Sequence, residues 1–132
     1  MRRRVEEVDR GLFAKLEEND ILFIDSSHII RPGGDVLCEH LQILPSLKKG
    51  VLVQVHDVLI PRDYHAKWIC DEVRFWNEQY LLEAFLCHNR AFKIVSALNY
   101  LKHQYPDKVA AAFPVLGKDM WREPGSFWIQ RI

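Results

Sequence analysis

The stretch from Ile21 to His28, with the sequence ILFIDSSH, constrains the fold more than any other part of the chain. Its first four residues are all apolar, which is typical of a strand in a parallel sheet that helices cover on both faces. The run stops abruptly at an acid, two hydroxyls and an imidazole. We therefore expect Ile21 to Ile24 to form a central strand, with Asp25 and His28 just beyond its carboxyl end.

A second segment, Val51 to Asp57 (VLVQVHD), repeats this design, because β-branched apolar residues again lead to polar ones. Residues Gly33 to Lys49 between the two runs are long enough and periodic enough for a crossover helix, so together they predict a βαβ unit. In open α/β sheets, ligands bind outside the carboxyl ends of the strands. The side chains expected to converge in one crevice there are those of Asp25, His28, His56 and Asp57.

The rest of the chain alternates helical and extended patterns. Helical spacing of apolar residues predicts a helix that Asp9 caps and that runs to about Glu18, and a second helix from Asn77 to about His88. Phe92 to Ala97 predicts a third strand. The alternation in Ser126 to Ile132 is more typical of an antiparallel strand. The predicted fold class is α/β, with about four mostly parallel strands, an antiparallel carboxyl-terminal strand and flanking helices.

Val58 to Trp76 shows no clean period and mixes aromatic, basic and acidic residues. We interpret it as a long ordered loop or lid, because long loops inside compact domains are usually functional or disordered, and the aromatic content argues against disorder. Arg62 and Tyr64 are candidates for contacts with a substrate. The aromatic residues, Trp76 among them, either line a substrate pocket or pack the lid against the sheet.

Composition restricts the function class and the compartment. The chain has 132 residues, which is enough for a single domain over residues 1–132. Lys and Arg total 18 and Asp and Glu total 18, so no net field attracts nucleic acid or an anionic membrane. The three cysteines are widely spaced, odd in number and form no C-x-x-C pair, so they indicate neither a disulfide framework nor a zinc knuckle, and a reduced, cytoplasmic setting fits best. The chain has no apolar segment of about 18 residues and the region of Met1 is charged, so we expect a soluble protein that is not exported.

Several segments together resemble the carboxyl-terminal half of class I S-adenosylmethionine-dependent methyltransferases. In order, they are ILFIDSSH, ILPSLKKGVLVQVHD, PRDY, FWNEQYLLEAFL and GSFWIQR, and the resemblance extends from about Val5 onward. It implies part of a Rossmann-like methyltransferase sheet, comprising the fourth to seventh strands of that family, with the final strand inserted between the fifth and sixth. The first strand, the glycine-rich turn and the ribose-binding acid of the family have no counterpart here. The resemblance therefore implies a truncated domain without the cofactor-binding half.

The resemblance also assigns roles to residues at the strand ends. In relatives that methylate hydroxyls of small molecules, the acids that end the fourth and fifth strands hold a divalent metal, which here implies Asp25 and Asp57. Magnesium suits such oxygen ligands. His28 matches the general base, Asp25 is also the candidate contact with S-adenosylmethionine, and His56 is a further candidate metal ligand where relatives have a second acid.

Three functions compete at this point. The first is metal-assisted methyl transfer to a hydroxyl of a small molecule, impaired in the isolated half. The second is a non-catalytic remnant or interaction module that forms a homodimer through Ile21 to Ile24, because the first strand of a full-length relative would cover this edge. The third, a metal phosphohydrolase that uses His56 and Asp57, fits less well, because that chemistry calls for several His and Asp ligands on helices.

Overall fold

The computed structural model describes residues 3–119 and 121–132, which form an α/β fold with one four-stranded mixed sheet flanked by helices. The strands are β1 (Ile21–Ile24), β2 (Leu52–His56), β3 (Phe92–Ala97) and β4 (Ser126–Arg131). All four lie where the sequence patterns predict them.

The strand order in the sheet is β1-β2-β4-β3. β1 and β2 are parallel neighbours, with Ile24 opposite Val55. β4 is inserted between β2 and β3 and is antiparallel to both, which is the place that the resemblance implied for the last strand. β1, β2 and β3 consequently run in the same direction, but only one of the three hydrogen-bonded pairs is parallel. The expectation of a mostly parallel sheet therefore holds for strand direction and not for strand pairing.

Helical segments connect the strands. The crossover from β1 to β2 is a continuous helix whose middle is π-helical, made of α1 (Asp35–Cys38), a π turn (Glu39–Ile43) and α2 (Leu44–Ser46). A second π turn (Lys67–Asp71) lies in the predicted lid, and α3 (Glu78–Leu86) follows it. The helices after β3 are α4 (Leu98–Gln104), α5 (Pro106–Ala112) and α6 (Pro114–Lys118). Within the described part of the chain, every helix falls short of the length and apolarity that a bilayer crossing requires.

The predicted helix at the start of the chain is wrong in type and length. Two short 3₁₀ helices, Val5–Glu7 and Arg10–Lys15, form instead. Val8 adopts an extended conformation between them, and this interrupts the helical path. Asp9 does act as a cap, because its carboxylate accepts a hydrogen bond from the backbone N–H of Gly11. Of the predicted apolar stripe, Val5 and Leu16 are partly buried against the core, whereas Leu12 is exposed.

The hydrophobic core lies between one face of the sheet and the crossover helix. Its largest fully buried strand residues are Phe127 and Ile129 of β4, which lie opposite Val55 and Val53 of β2. Ile43 and Leu44 of the crossover helix belong to the same cluster. This packing holds the carboxyl ends of β1 and β2 in fixed positions.

β1 is an edge strand, and the prediction that it is central and buried on both faces is wrong. It pairs with β2 alone. Because side chains alternate along a strand, Ile24 is buried against the core, whereas Ile21 and Phe23 on the other face are 54% and 59% exposed. An apolar run therefore indicated a strand but could not indicate which of its faces the rest of the chain would cover.

Candidate functional site

The four polar side chains at the strand ends lie together, as the sequence analysis predicts. His28 Nε2 is 3.4 Å from Asp25 Oδ1 and 3.9 Å from Asp57 Oδ2. His56 Nδ1 is 3.2 Å from Asp57 Oδ1 and 3.8 Å from Asp25 Oδ1. His28 is buried, whereas the other three side chains are partly exposed. The arrangement is a cluster of two carboxylates and two imidazoles with access to solvent.

Backbone geometry explains how adjacent residues reach the same place. β2 ends at His56, and Asp57 leaves the strand with a φ of 54°, so the alternation that would separate their side chains has already stopped. His28 also has a positive φ, of 58°. Asp and His adopt this conformation more readily than most residues. Two left-handed turns thus direct side chains of the neighbouring strands toward each other.

Gly125 permits the chain before β4 to pass close to Asp57. A Cβ atom at this position would lie 2.6 Å from Asp57 Cα and 3.0 Å from its nitrogen, which is closer than side-chain atoms approach. The carbonyl of Gly125 accepts a hydrogen bond from the N–H of Val58, at 3.2 Å. The position of Asp57 therefore depends on the absence of a side chain here.

Glu78 is the functional residue that sequence reasoning missed. Its Oε2 lies 2.7 Å from His28 Nδ1, and both side chains are buried. The amides of Asn77 and Glu78 also donate to the His28 carbonyl, at 2.9 and 3.2 Å, so the start of α3 is fixed to the His28 loop. In the sequence, Glu78 is only an acid in the first turn of a helix. No local signal indicates that it faces inward.

The surroundings of His28 determine its protonation and orientation. Burial lowers the pKa of this imidazole, but the hydrogen bond and charge of Glu78, together with Asp57 and Asp25, more than offset that effect. The pKa of His28 is therefore raised above its ordinary value of 6.5. Nδ1–H donates to Glu78, and Nε2 is directed at the two aspartates.

A second set of ionisable groups lies deeper, behind His28. Ser26 Oγ donates to Glu39 Oε2 at 2.9 Å, and His40 Nδ1 donates to the Val36 carbonyl at 3.0 Å. Burial raises the pKa of Glu39 to about 7. Burial also lowers the pKa of His40, against the charge of Glu78. The sequence analysis assigned no role to either residue.

The three candidate substrate-binding residues of the lid lie in three different surroundings. The Trp76 ring packs on His28, with 4.5 Å between ring centroids. Tyr64 is buried, and its hydroxyl accepts a hydrogen bond from the N–H of Gln79. The guanidinium of Arg62 contacts His103 of α4. Trp76 thus reaches the site, Tyr64 supports the lid and Arg62 extends toward α4.

The lid itself is an ordered stack of aromatic residues. The Trp68 and Trp76 rings contact each other at 5.2 Å between centroids, and the Arg74 guanidinium lies 4.9 Å from the first ring and 4.5 Å from the second. Such cation–π contacts hold an arginine in a fixed position. A cavity of about 590 Å³ opens beside this stack, lined by Tyr64 and Trp76 among others. Its size suits a small molecule.

The donor atoms at the strand ends fit a divalent metal. Asp25, His28 and Asp57 each offer one ligand atom, and the three atoms lie within 4.8 Å of one another. Carboxylate oxygens suit magnesium and manganese, and an imidazole nitrogen adds affinity for transition metals. A cleft of about 350 Å³ lies on one side of Asp25 and is also lined by Ser26 and Glu39.

The helix N-terminus that follows Gly33 and Gly34 is already occupied by a side chain of the protein. Gly33 and Gly34 are the paired glycines of the chain and open α1, where a cofactor could approach a helix N-terminus. The carboxylate of Asp35 already takes this place, because it accepts hydrogen bonds from the N–H of Ser27, the hydroxyl of Ser27 and the N–H of Val36. An anionic group at this terminus would meet a like charge.

Comparison with protein families, with curated proteins and with solved structures finds no match for this chain.

Proposed function

We propose that the chain is the metal-binding and acceptor-activating part of a methyltransferase that acts on a hydroxyl of a small molecule. The observation that carries this proposal is the position of His28 Nε2 between Asp25 and Asp57, with Nδ1 held by a buried glutamate. A Rossmann-like methyltransferase relationship is part of the same proposal. The resemblance of the sequence and the place of β4 in the sheet support it.

The chemistry follows from the orientation of the imidazole. A divalent metal held by Asp25 and Asp57 would supply a Lewis acid that lowers the pKa of an acceptor hydroxyl. His28 Nε2 then takes the hydroxyl proton while the oxygen attacks the methyl group of S-adenosylmethionine, whose methyl–sulfur bond breaks and releases a neutral thioether. Glu78 keeps Nδ1–H in place and stabilises the imidazolium that forms. Because Nε2 must be unprotonated to act, activity is expected to rise with pH through the pKa of His28.

The methyl donor needs a site that these residues do not provide. Asp25 remains the candidate contact with S-adenosylmethionine, and the open edge of β1 is where the first strand of the family would pair. We expect the isolated chain to be impaired in methyl transfer for this reason. Catalysis requires a donor held in line with the acceptor.

The first step can be tested without the methyl donor. Catechol serves as a hydroxyl probe because its deprotonation changes its ultraviolet absorbance. With magnesium and the wild-type chain, we expect catechol to lose its proton at lower pH than with magnesium alone. Asp25→Asn should abolish this shift and the surface variant Asp107→Asn should retain it. An unchanged catechol pKa with the wild-type chain contradicts the proposal.

The second step is tested by calorimetric titration of S-adenosylmethionine with and without magnesium. Micromolar binding would mean that the chain, or its dimer, forms a donor site, and would favour an enzyme. Absence of heat at millimolar donor would restrict its role to the acceptor side, as we expect.

A second candidate function is a homodimeric interaction module without catalysis. The observation that favours it is the exposure of Ile21 and Phe23 on an edge strand, because unpaired edges of this kind add strands from other chains. This function predicts that Asp25→Ala and His28→Ala change stability at most.

A further inference from the structure

Three ligating groups meet in the interior behind His28. One atom each from Glu39, His40 and Glu78 lies within 4.8 Å of the other two. Glu39 is 7% exposed, and His40 and Glu78 are fully buried. Two carboxylates in such a place need partners, because an uncompensated charge in the interior is very costly.

Two atoms of this cluster have no hydrogen-bond partner among the residues that the structure describes. They are His40 Nε2 and Glu78 Oε1, which face each other at 3.8 Å. His40 Nδ1 lies against the Val36 carbonyl, which can only accept, so Nδ1 carries the hydrogen and Nε2 of the neutral ring is an acceptor. Glu78 Oε1 is an acceptor as well. Two acceptors cannot bond to each other, whereas a cation between them satisfies both.

The local helix geometry brings two of the ligands inward. Glu39 and His40 are the first residues of the π turn Glu39–Ile43, and both are buried although they are adjacent. Short π-helical insertions within α-helices occur frequently at functional sites. The turn thus places a carboxylate and an imidazole side by side, opposite the first turn of α3.

We propose that Glu39, His40 and Glu78 form a buried site for a divalent first-row transition metal, separate from the exposed cluster at Asp25 and Asp57. One imidazole nitrogen and two carboxylate oxygens are a donor set for zinc, iron(II) or manganese(II). Ligands at about 2.0–2.1 Å from a tetrahedral or trigonal ion lie roughly 3.3–3.6 Å apart. His40 Nε2 and Glu78 Oε1 are 3.8 Å apart, so a shift of a few tenths of an ångström would bring them within this range.

The charges of the proposed site also balance. A dication offsets the two carboxylates, and the imidazole of His40 adds no charge. Glu78 would bind the metal through Oε1 and keep its bond from His28 through Oε2. The metal would therefore stabilise the fold and hold in place the glutamate that orients His28.

The experiment counts manganese on the full chain after chelator treatment. Manganese(II) is the main probe because the thiols of the three free cysteines select softer metals, and its free concentration follows from its paramagnetic resonance signal. The metal is added both to the folded chain and during refolding, so that slow entry does not hide a buried site. Titrations at about pH 8 keep carboxyl groups ionised.

Glu39→Gln is the informative variant. It is nearly isosteric, its amide oxygen can still accept the Ser26 hydroxyl, and it matches the neutral form of a carboxyl whose pKa is about 7. We expect this variant to bind one manganese where the wild type binds two, and to lose the rise in melting temperature that the buried metal causes. Glu83→Gln on the exposed side of α3 is the control and should bind two.

The outcomes separate this proposal from the proposed function. Equal manganese stoichiometry and equal metal-induced stabilisation in wild type and Glu39→Gln would overturn the buried site. If Asp25→Asn loses one ion and Glu39→Gln does not, only the exposed site binds metal. Loss in Glu39→Gln but not in Asp25→Asn supports the buried site and removes the metal from the proposed function. A wild type that binds no manganese overturns both.

Discussion

His28 Nδ1 lies 2.7 Å from Glu78 Oε2, with both side chains buried and fifty positions apart in the chain. A hydrogen bond to a charged group in the interior is among the stronger contacts in proteins. It joins the loop after β1 to the start of α3. The orientation of the imidazole at the candidate site therefore depends on a residue from a distant helix.

Glu78→Gln should lower the pKa of His28, because the hydrogen bond and charge of Glu78 are the main influences that raise it. Because the pKa of His28 is higher in the folded state than in the unfolded state, its protonation stabilises the fold. This contribution is fully present below the unfolded pKa of 6.5 and is lost as pH rises through the folded pKa. The excess stability of wild type over Glu78→Gln should therefore be larger in mild acid than in base. NMR titration of His28 and denaturant unfolding at both pH values measure these effects, with Glu83→Gln as control. An unchanged pKa in Glu78→Gln contradicts this account.

Glu123 should make the protein sensitive to acid. Burial raises the pKa of this carboxyl, but hydrogen bonds from Lys102, His103 and Asn99 outweigh burial and lower the pKa from 4.5 to about 2. This contact gives stability that is present above pH 4.5 and is lost as pH falls through about 2. Glu123→Gln should cost roughly 2–3 kcal/mol near neutral pH and little in strong acid. Urea unfolding of wild type and Glu123→Gln across this pH range measures the difference in their free energy of unfolding. A difference that is the same at all pH values would contradict a lowered pKa for Glu123.

Gly125→Ala should damage the site through the backbone. The new methyl group would lie 2.6 Å from Asp57 Cα, so the chain must shift at Asp57. We expect a loss of about 1–3 kcal/mol in the free energy of unfolding and weaker metal binding. Gly11→Ala is the matched control, because its nearest neighbour is the end of the flexible Asp9 side chain, at 3.2 Å. Equal metal affinity in Gly125→Ala and wild type would show that Asp57 does not depend on this close approach.

The sequence predicts the exposed cluster because parallel strands bring their carboxyl ends to one edge. Asp25 and His28 follow β1 directly, and His56 and Asp57 lie at the end of β2. Two short apolar runs with polar ends therefore predict that these residues lie near one another. The left-handed backbone at His28 and Asp57 completes the convergence, and no residue type in the sequence requires it.

The buried partners could not be predicted in the same way. Glu78 faces His28 only because α3 docks on the His28 loop, and Glu39 is turned inward by a π-helical register. The first is a tertiary contact and the second a local change of helix geometry, and neither is encoded in the apolar period or the residue type. The exposure of Phe23 has a similar origin, because the pattern of β1 specifies a strand and the rest of the chain decides which face is covered.

Ile21→Lys should weaken a homodimer that pairs through β1. The wild-type residue is 54% exposed on the open face of this edge strand, and a lysine there opposes strand addition. Light scattering at high protein concentration should give a dimer mass for wild type and a monomer mass for the variant. Val115→Lys, at an exposed apolar position on α6, is the control and should remain dimeric. A monomeric wild type contradicts the second candidate function.

Calorimetric titration of magnesium tests the central claim most directly, because this ion prefers the oxygen ligands of Asp25 and Asp57 to the deeper imidazole cluster. The account predicts one magnesium ion per wild-type chain, affinity reduced at least tenfold in Asp25→Asn and in Asp57→Asn, and unchanged affinity in Asp107→Asn. A wild-type chain that binds no magnesium, or aspartate variants that bind it as tightly as wild type, would contradict a metal-assisted site at the ends of β1 and β2.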